Sequence, residues 1–498
     1  SANDISVLFN KKLKFGLSVD DVYSLETKTE GWIAGLQLAA LSMQGREDIS
    51  EFIRDLKGDN RYIMDYLMEE VMKIQTDDIN NFLLQTSILE QMSAPLCNAV
   101  LNRNDSQLIL ETLEKNNMFV IPLDNDRNWY RYHHLFAELL KQRLHLKEKA
   151  IIIELHNAAC EWFGNNAMPL YAIEHAIKTE NFEKSIKLLG EIVETMWKNG
   201  QHAAIMKYGD LLPDKIIEKN AYFCLYYAWI LIIAGQIQKA KPFLENAEIT
   251  TMQIINDKNS SKEDVHYNKQ LTGKISVAFA YLYSTTADPK KTFSYGKAAM
   301  ENLSEDDPLW FSWGWYSIGM AEMSRENFKE CIKAFENALV YGKKSGNIYL
   351  ISTIASRLSP IEARMGLYTS SYKKCSDIIT FMKESGYSQI TKSECTYAGV
   401  YSMMAGIESM RLDFDNALEN IKTAYNLCKN ESNNTIKVHV LMVYSLALIG
   451  RGDIAGVKKM INEADIILKQ NIVFPTTMSL YISTKGFMLI EQNELEKA

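Results

Sequence analysis

Two adjacent histidines stand where the sequence most plainly offers chemistry. They lie in YRYHHLFAELLKQRL (130–144), which alternates like a short strand and then takes the apolar spacing of a helix. An imidazole can ligate a metal, act as a general base or donate a hydrogen bond to a phosphate. His133 and His134 are candidates for all three roles, and packing at a strand–helix junction is the structural alternative.

The rest of the sequence gives metal binding and catalysis little support. No other histidine, cysteine or carboxylate cluster accompanies the histidine pair at the spacing of a metal site. The chain contains no GxSxG, no HExxH and no Cys–His signature of a nucleophile and its base. We therefore predict no catalytic residue, no metal site and no enzymatic activity.

The elements around the histidines predict a winged helix. Three helical segments, INNFLLQTSIL (79–89), APLCNAVL (94–101) and DSQLILETLEKNN (105–117), precede a hairpin of MFVIPL (118–123) and WYRYH (129–133). The segment HLFAELLKQRL (134–144) then closes the module as a helix. The third helix is the usual DNA-reading element, but Glu111 and Glu114 would face phosphates there. We expect no DNA binding by this module.

The second half of the chain is periodic. Within WYSIGMAEMSRENFKECIKAFENAL (315–339), Trp315, Gly319, Cys331, Phe335 and Ala338 have the offsets of a tetratricopeptide unit. The small residues permit close approach of two antiparallel helices, and Phe335 fills the groove between them. The residues that open the second helix of each copy fall at 185, 240, 292, 331, 371, 417, 457 and 498. The polar segment 249–270 reads as a loop inserted between copies.

Composition narrows the function classes. The chain has 498 residues and a net charge of −8, which disfavours nucleic-acid binding because phosphate contact needs clustered Lys and Arg. Seven scattered cysteines without a CxxC pair indicate reduced thiols in a cytoplasmic protein. The most apolar stretch, AYFCLYYAWILIIAG (221–235), is shorter than the ~20 residues of a membrane helix. It predicts a buried helix and no membrane partner.

Four long motifs stand out along the chain: TEGWIAGLQLAALSM (29–43), FLLQTSILEQMSAPLCNAVL (82–101), WYRYHHLFAELLKQRL (129–144) and LHNAACEWFGNNAMPLYAIEHAIKTENFEKSIKLL (155–189). They resemble MalT-type ATP-dependent transcriptional regulators, the large LuxR-type activators. They occur in the order that the family has, and the repeat array continues the likeness. The resemblance implies a P-loop NTPase of the signal-transduction class, a winged helix, a helical connector, a tetratricopeptide-like sensor and a LuxR-type helix-turn-helix.

The resemblance also assigns domains to this chain. It implies the tail of an NTPase module at 1–45, linker helices and a winged helix at 46–148, a connector at 149–200 and a sensor at 201–498. The fold class is therefore mainly α, a winged helix followed by a tetratricopeptide-like α-superhelical solenoid. No GxxxxGK[ST] occurs, no basic helix-turn-helix follows, and the last repeat is cut at Ala498. We expect a fragment without a cofactor of its own, with ATP or ADP bound by the full-length protein.

In relatives of this NTPase class, a winged-helix histidine touches the β-phosphate of ADP. The resemblance carries this nucleotide-sensing role to His133 or His134, with His133 preferred because His134 lies nearer the helix. The resemblance further implies an inducer, either a small molecule or a regulatory protein. It implies self-association of the full-length protein and DNA contact only through the C-terminal domain.

The inducer site is predicted from aromatic and cationic residues of the repeats. Flat rings suit stacking on a ring-bearing ligand, and DDPLWFSWGWYSIG (306–319) is rich in them. Trp315 occupies a packing position of the repeat, whereas Trp310 and Trp313 are freer to face the groove. Arg357 and Tyr397 lie on first helices of later repeats, which line the concave face.

Two functions of different classes stay open at this point. The first is the signal-sensing part of an ATP-dependent LuxR-type activator, which binds an inducer in the superhelical groove and relays it through the winged helix. The second is an autonomous peptide- or protein-binding tetratricopeptide scaffold without an NTPase.

Overall fold

A computed structural model of the chain describes residues 2–43, 48–55, 72, 75–116, 118–146, 149–286, 288–384, 395–429, 434–469 and 475–491. The chain folds as two compact units, Ser1–Phe223 and Cys224–Ala498. Each unit is described separately below. In the described part of the chain, the regular secondary structure is helical apart from one hairpin and one isolated β-bridge.

The first unit begins with short helices whose ends follow local sequence signals. Ser18 caps α2: its hydroxyl accepts the backbone N–H of Asp21, and the Asp21 carboxylate accepts the backbone N–H of Ser18. Glu30 and Gly31, both with positive φ, end this helix and turn the chain into the next. The helices here are α1 (Ala2–Ser6), α2 (Val19–Thr29), α3 (Ile33–Met43) and α4 (Ile49–Asp55), with a π-helical turn at Val7–Lys12.

The winged helix is confirmed almost residue by residue. Ser93 caps its second helix, and Pro95 occupies the first turn, where a missing N–H costs nothing. The hydroxyls of Thr86 and Tyr132 hydrogen-bond in the core, 2.6 Å apart, and tie the first helix to the hairpin. The elements are α5 (Asp77–Thr86), α6 (Ala94–Leu101), α7 (Ser106–Lys115), β1 (Val120–Pro122), β2 (Tyr130–Tyr132) and α8 (His134–His145).

The helices after the winged helix contain a buried pair of histidines. His156 and His175 are 8% and 5% exposed, and their Nδ1 atoms lie 2.7 Å apart. Because both are imidazoles, one ring must donate an N–H and the other must accept it. The elements are α9 (Lys149–Asn165), α10 (Pro169–Lys178), α11 (Phe182–Lys198), α12 (His202–Leu211) and α13 (Asp214–Ile217).

The second unit consists of consecutive antiparallel helices, as the repeat predicts. The apolar stretch at 221–235 forms the helix α14, whose residues from Phe223 to Ile232 are all buried. The elements are α14 (Ala221–Ile233), α15 (Ile237–Asn256), α16 (Lys262–Thr285), α17 (Pro289–Asn302), α18 (Pro308–Ser324), α19 (Phe328–Ser345), α20 (Ile348–Arg364), α21 (Tyr368–Glu384), α22 (Cys395–Met410), α23 (Phe414–Cys428), α24 (Asn434–Gly450), α25 (Ile454–Leu468) and α26 (Pro475–Glu491).

The packing inside one repeat follows the predicted pattern. Phe335 of α19 is fully buried, and a Cβ added to Gly319 of α18 would lie 2.6 Å from its ring. The Cys331 thiol donates to the Gly319 carbonyl over 3.3 Å. The residues predicted to open each second helix are at most 1% exposed where the structure describes them; they are Ser185, Ala240, Thr292, Cys331, Ser371, Ala417 and Val457. Ala498 lies outside the described residues.

One expectation about the repeats is wrong. The segment 249–270 was expected as a loop, but α15 continues to Asn256 and α16 begins at Lys262, so the connection is 257–261. Ser261 caps α16 by accepting the backbone N–H of Asp264. A polar helix surface therefore accounts for most of this segment.

Buried glutamates link the two helices of a repeat, a feature that the apolar pattern does not reveal. Glu362 of α20 is 1% exposed and pairs with Lys374 of α21. The same Lys374 reaches Glu336 of the preceding repeat over 2.7 Å. Glu408 of α22, 4% exposed, accepts from Asn420 of α23. These pairs satisfy buried charge while fixing the register of neighbouring helices.

Candidate functional site

His133 lies at the junction of β2 and α8, held in one orientation by a distant segment. Its Nε2 hydrogen-bonds the Thr29 carbonyl over 2.9 Å, at the end of α2. Its ring packs against Trp32 and Phe119, with centroids 5.8 and 6.2 Å away. The side chain is 6% exposed, and its Nδ1 has no hydrogen-bond partner among the described residues.

The bond to Thr29 fixes the chemistry of the free nitrogen. A carbonyl only accepts, so Nε2 carries the hydrogen, and Nδ1 is bare in the neutral ring. Burial lowers the pKa of His133, while the Thr29 carbonyl and the charge of Glu30 oppose that shift. The ring is therefore neutral at pH 7. A second proton, on Nδ1, becomes favourable only if an anion approaches that atom.

His134 points to a different partner, the carboxylate of Glu30. Its Nδ1 lies 3.1 Å from Oε1 of Glu30, and Arg131 donates to both oxygens of the same carboxylate at 3.0 and 2.9 Å. Burial opposes ionisation of Glu30, but the hydrogen bonds from Arg131 and His134 outweigh it and hold the pKa of that carboxyl below its usual value. His134 thus stabilises the junction between α2 and the hairpin.

No carboxylate lies near the histidine pair in the sequence, but the fold brings one beside it. Glu30, His133 and His134 offer ligand atoms within 4.8 Å of one another. Sequence spacing could not show this, because Glu30 and His134 are 104 positions apart. The set fits a cation poorly, however, because the Arg131 guanidinium already occupies both carboxylate oxygens and adds a positive charge beside them.

In the second unit, the tryptophans are buried in the opposite order to the one expected. Trp310 and Trp313 are 0% and 3% exposed, whereas Trp315 is only partly buried. Trp310 and Trp313 pack edge-on against Trp229 of α14, with centroids 5.7 and 5.0 Å away. They form the core of this unit, and their faces are covered by protein.

Arg357, by contrast, is surrounded by hydroxyl-bearing rings. It lies on α20 beside Tyr316, whose proximity raises the pKa of the guanidinium, with Tyr281 and Tyr349 nearby. Burial, together with the charge of Arg357, lowers the pKa of His439 on α24. The Nε of Arg357 is buried without a hydrogen-bond partner among the described residues. We call Tyr281, Tyr316, Tyr349, Arg357 and His439 the arginine–tyrosine cluster.

The arginine–tyrosine cluster is accessible although protein surrounds it. Tyr349 is 48% exposed, yet burial of its hydroxyl raises its pKa. Tyr397, the fourth predicted residue, is 8% exposed on α22. Of the four, only Arg357 belongs to this accessible cluster.

Comparison with known proteins shows which protein family part of the first unit resembles. Residues 68–151 match the family model described as the MalT winged helix domain. This part of the chain is similar to the MalT winged helix domain. The resemblance predicted from the sequence motifs is thereby confirmed for this part of the chain, and His133 and His134 lie within the matched residues.

Curated relatives extend the likeness beyond the MalT winged helix. The HTH-type transcriptional regulator MalT of Vibrio parahaemolyticus is 26% identical over 304 residues, which cover 59% of this chain and 32% of that protein. The serine/threonine-protein kinase PknK of Mycobacterium tuberculosis is 28% identical over 254 residues, 50% of this chain and 23% of that protein. The chain spans less than a third of the length of these relatives.

A solved structure shares the fold along nearly the whole chain. It is a Signal Transduction ATPase with Numerous Domains (STAND) protein with a tetratricopeptide repeat sensor, from Pyrococcus horikoshii, with a TM-score of 0.55 and 16% identity. The match covers 99% of this chain and 69% of that one. The predicted fold class, a winged helix followed by a tetratricopeptide-like solenoid, is confirmed. Among the described residues, no helix combines the length and apolar character that a bilayer crossing needs.

Proposed function

We propose that this chain is the sensing and relay part of an ATP-dependent LuxR-type transcriptional activator. Its MalT winged helix and its tetratricopeptide-like repeats are the two parts that such a role needs, and the similarity to MalT regulators supports a regulatory, signal-sensing role. An inducer, a small molecule or a regulatory protein, binds the concave surface of the repeats. Self-association and DNA contact belong to the whole protein. The proposal assigns no catalytic residue to the chain.

The observation that carries the sensing half is the accessible arginine–tyrosine cluster. It combines rings, hydroxyls and one cation, and its member Tyr349 is 48% exposed. This composition suits a ligand site better than a helix–helix interface. An autonomous scaffold would need the concave surface but gives no reason for a MalT winged helix upstream of it.

The relay half rests on His133. When ADP or ATP is bound, its phosphates supply the negative charge to which a histidine can respond. The part of this chain that we assign to that contact is the Nδ1 of His133, which is buried and has no hydrogen-bond partner among the described residues, while Thr29 holds the other ring nitrogen. His134 keeps Glu30 in place and orients the junction. A phosphate at Nδ1 would favour the protonated ring and raise its pKa.

A thermal-shift screen of metabolites and short peptides tests the sensing half. A ligand at 100 times its Kd stabilises the folded chain by about 2.7 kcal/mol. We expect Tyr349→Ala to abolish the shift produced by any hit, because Tyr349 is an exposed member of the cluster. Tyr23→Ala is the control, because Tyr23 is also an exposed tyrosine but belongs to the first unit, and it should leave the shift unchanged. Ligands whose thermal shift is unchanged in both variants would refute binding at this surface.

Histidine NMR tests the relay half. We expect the His133 imidazole to titrate below its ordinary range in the free protein and to shift upward in pyrophosphate. In His134→Gln the same upward shift should persist. If pyrophosphate leaves the pKa of His133 unchanged, or raises only that of His134, the assignment of the phosphate contact to His133 is wrong.

A further inference from the structure

The hydrogen-bonding groups of the arginine–tyrosine cluster are unbalanced, and this imbalance bears on the ligand. Arg357 offers only donors, and its buried Nε–H has no acceptor among the described residues. Trp313 is 3% exposed, and its Nε1–H has no hydrogen-bond acceptor among the described residues. Its ring lies 5.2 Å from that of Tyr316 and 6.1 Å from that of Tyr281, measured between centroids.

The tyrosine hydroxyls add donors rather than negative charge. Burial raises the pKa of Tyr281 and of Tyr349 above the ordinary value for a phenol. Both hydroxyls therefore keep their protons at neutral pH and can donate. His439 is neutral at neutral pH, because burial and the Arg357 charge lower its pKa, and one of its ring nitrogens then carries a hydrogen.

Negative charge to balance Arg357 is missing from this part of the structure. In the described part of the chain, no ion pair joins Arg357 to a carboxylate. Asp307, at the start of α18, is engaged by Lys274 over 3.3 Å. A buried or half-buried guanidinium without an anion is costly, and a fork of parallel N–H donors matches a planar or tetrahedral oxyanion.

We propose that the arginine–tyrosine cluster is an oxyanion subsite, and that the ligand of the repeats carries a carboxylate or a phosphate on a ring-bearing body. The anion pairs with Arg357 and accepts from the hydroxyls of Tyr281 and Tyr349. The ring-bearing body lies along the half-exposed face of Tyr349. This inference rests on the proposed sensing function, because it names the class of ligand that the same surface takes.

Calorimetric titration of the whole chain with defined probes tests the inference. The probes are benzoate, indole-3-acetate and phenyl phosphate, with benzamide as the neutral counterpart of benzoate. We expect at least one of the three anions to bind, and benzoate to bind about tenfold or more tightly than benzamide. Preference for benzoate or for phenyl phosphate then distinguishes a carboxylate source from a phosphate source.

Two arginines on the same helix provide a matched comparison. Arg357→Gln should weaken binding of the preferred anion by about tenfold or more and leave benzamide unaffected. Arg364→Gln, on the exposed last turn of α20, should bind as the unmodified chain does. Tyr349→Phe removes one hydroxyl and should weaken anion binding by about threefold to tenfold.

Three results would overturn the inference: no anion binds, benzamide binds as tightly as the preferred anion, or Arg357→Gln binds that anion unchanged. Far-UV circular dichroism of each variant establishes that the fold is retained. A neutral sugar or peptide amide that stabilises the chain and loses its effect in Tyr349→Ala, but not in Arg357→Gln, would leave the sensing function standing while the oxyanion inference fails.

Discussion

The close approach of α18 and α19 gives a quantitative test of the repeat packing. In Gly319→Ala, the new Cβ would lie 2.6, 2.7 and 3.0 Å from three ring atoms of Phe335. That ring is fully buried and touches Tyr316, so it has little room to move. Overpacking of this kind costs about 1–3 kcal/mol, whereas exchanging a helical glycine for alanine gains about 1 kcal/mol. The three close contacts favour the upper part of that range, and we expect a net loss of about 1–2 kcal/mol.

A second glycine isolates the steric effect. Gly406 is also inside a helix, α22, but an added Cβ there meets nothing within 4 Å. Gly406→Ala should therefore stabilise the protein by about 0.5–1 kcal/mol through helix propensity alone. The two alanine variants should differ in free energy of unfolding by about 1.5–3 kcal/mol although their chemistry is identical.

Urea unfolding followed by tryptophan fluorescence measures this difference, because Trp310, Trp313 and Trp315 lie on the same helix as Gly319. Far-UV circular dichroism provides the second probe, and equal slopes for all variants are required before midpoints are compared. Phe335→Leu should relieve part of the cost in the double variant, giving a favourable coupling energy. If Gly319→Ala proves as stable as Gly406→Ala, the proposed close packing at Gly319 is wrong.

Lys374→Met should destabilise the second unit by about 3–5 kcal/mol, because it leaves the buried Glu362 carboxylate unpaired; urea unfolding measures this, and adding Glu362→Gln should restore part of the loss. Tyr132→Phe should cost about 1 kcal/mol in the same assay, because it removes the buried hydroxyl pair with Thr86. Burial lowers the pKa of His156 to about 4 and that of His175 to about 3. Unfolded histidines titrate near 6.5, so the free energy of unfolding should fall as the pH drops below 6.5, by about 1.4 kcal/mol per pH unit for each extra proton bound by the unfolded chain. His175→Gln should flatten that dependence, and an unchanged slope would contradict the burial argument.

Local patterns predicted the helices and the phase of the repeats well. Apolar spacing placed α6 at 94–101 and α8 from His134 onward, where the structure has them. The reason is that capping, propensity and periodicity act within a few residues of each other. The prediction of a loop at 249–270 is wrong because it relied on composition alone. The segment is polar, yet most of it is the solvated surface of two long helices.

The candidate sites depend on contacts that sequence spacing cannot show. Glu30 meets His134 across 104 positions, and the charge of Arg357 acts on His439 from a helix two repeats earlier. Trp313 was expected in the groove, but α18 is covered by protein on almost every side, so no polar face of the helix indicates its orientation. Arg357 belongs to the arginine–tyrosine cluster, and its role as a ligand contact stays a prediction.

Lys374 joins two repeats with one side chain, and this shapes how the solenoid opens. Because it holds Glu362 of its own repeat and Glu336 of the repeat before, neither can fray without disturbing the other. Amide protons of α19, α20 and α21 should therefore exchange with deuterium as one cooperative block rather than as separate helix pairs. Movements that cross this part of the array would then be rigid-body displacements of several helices together.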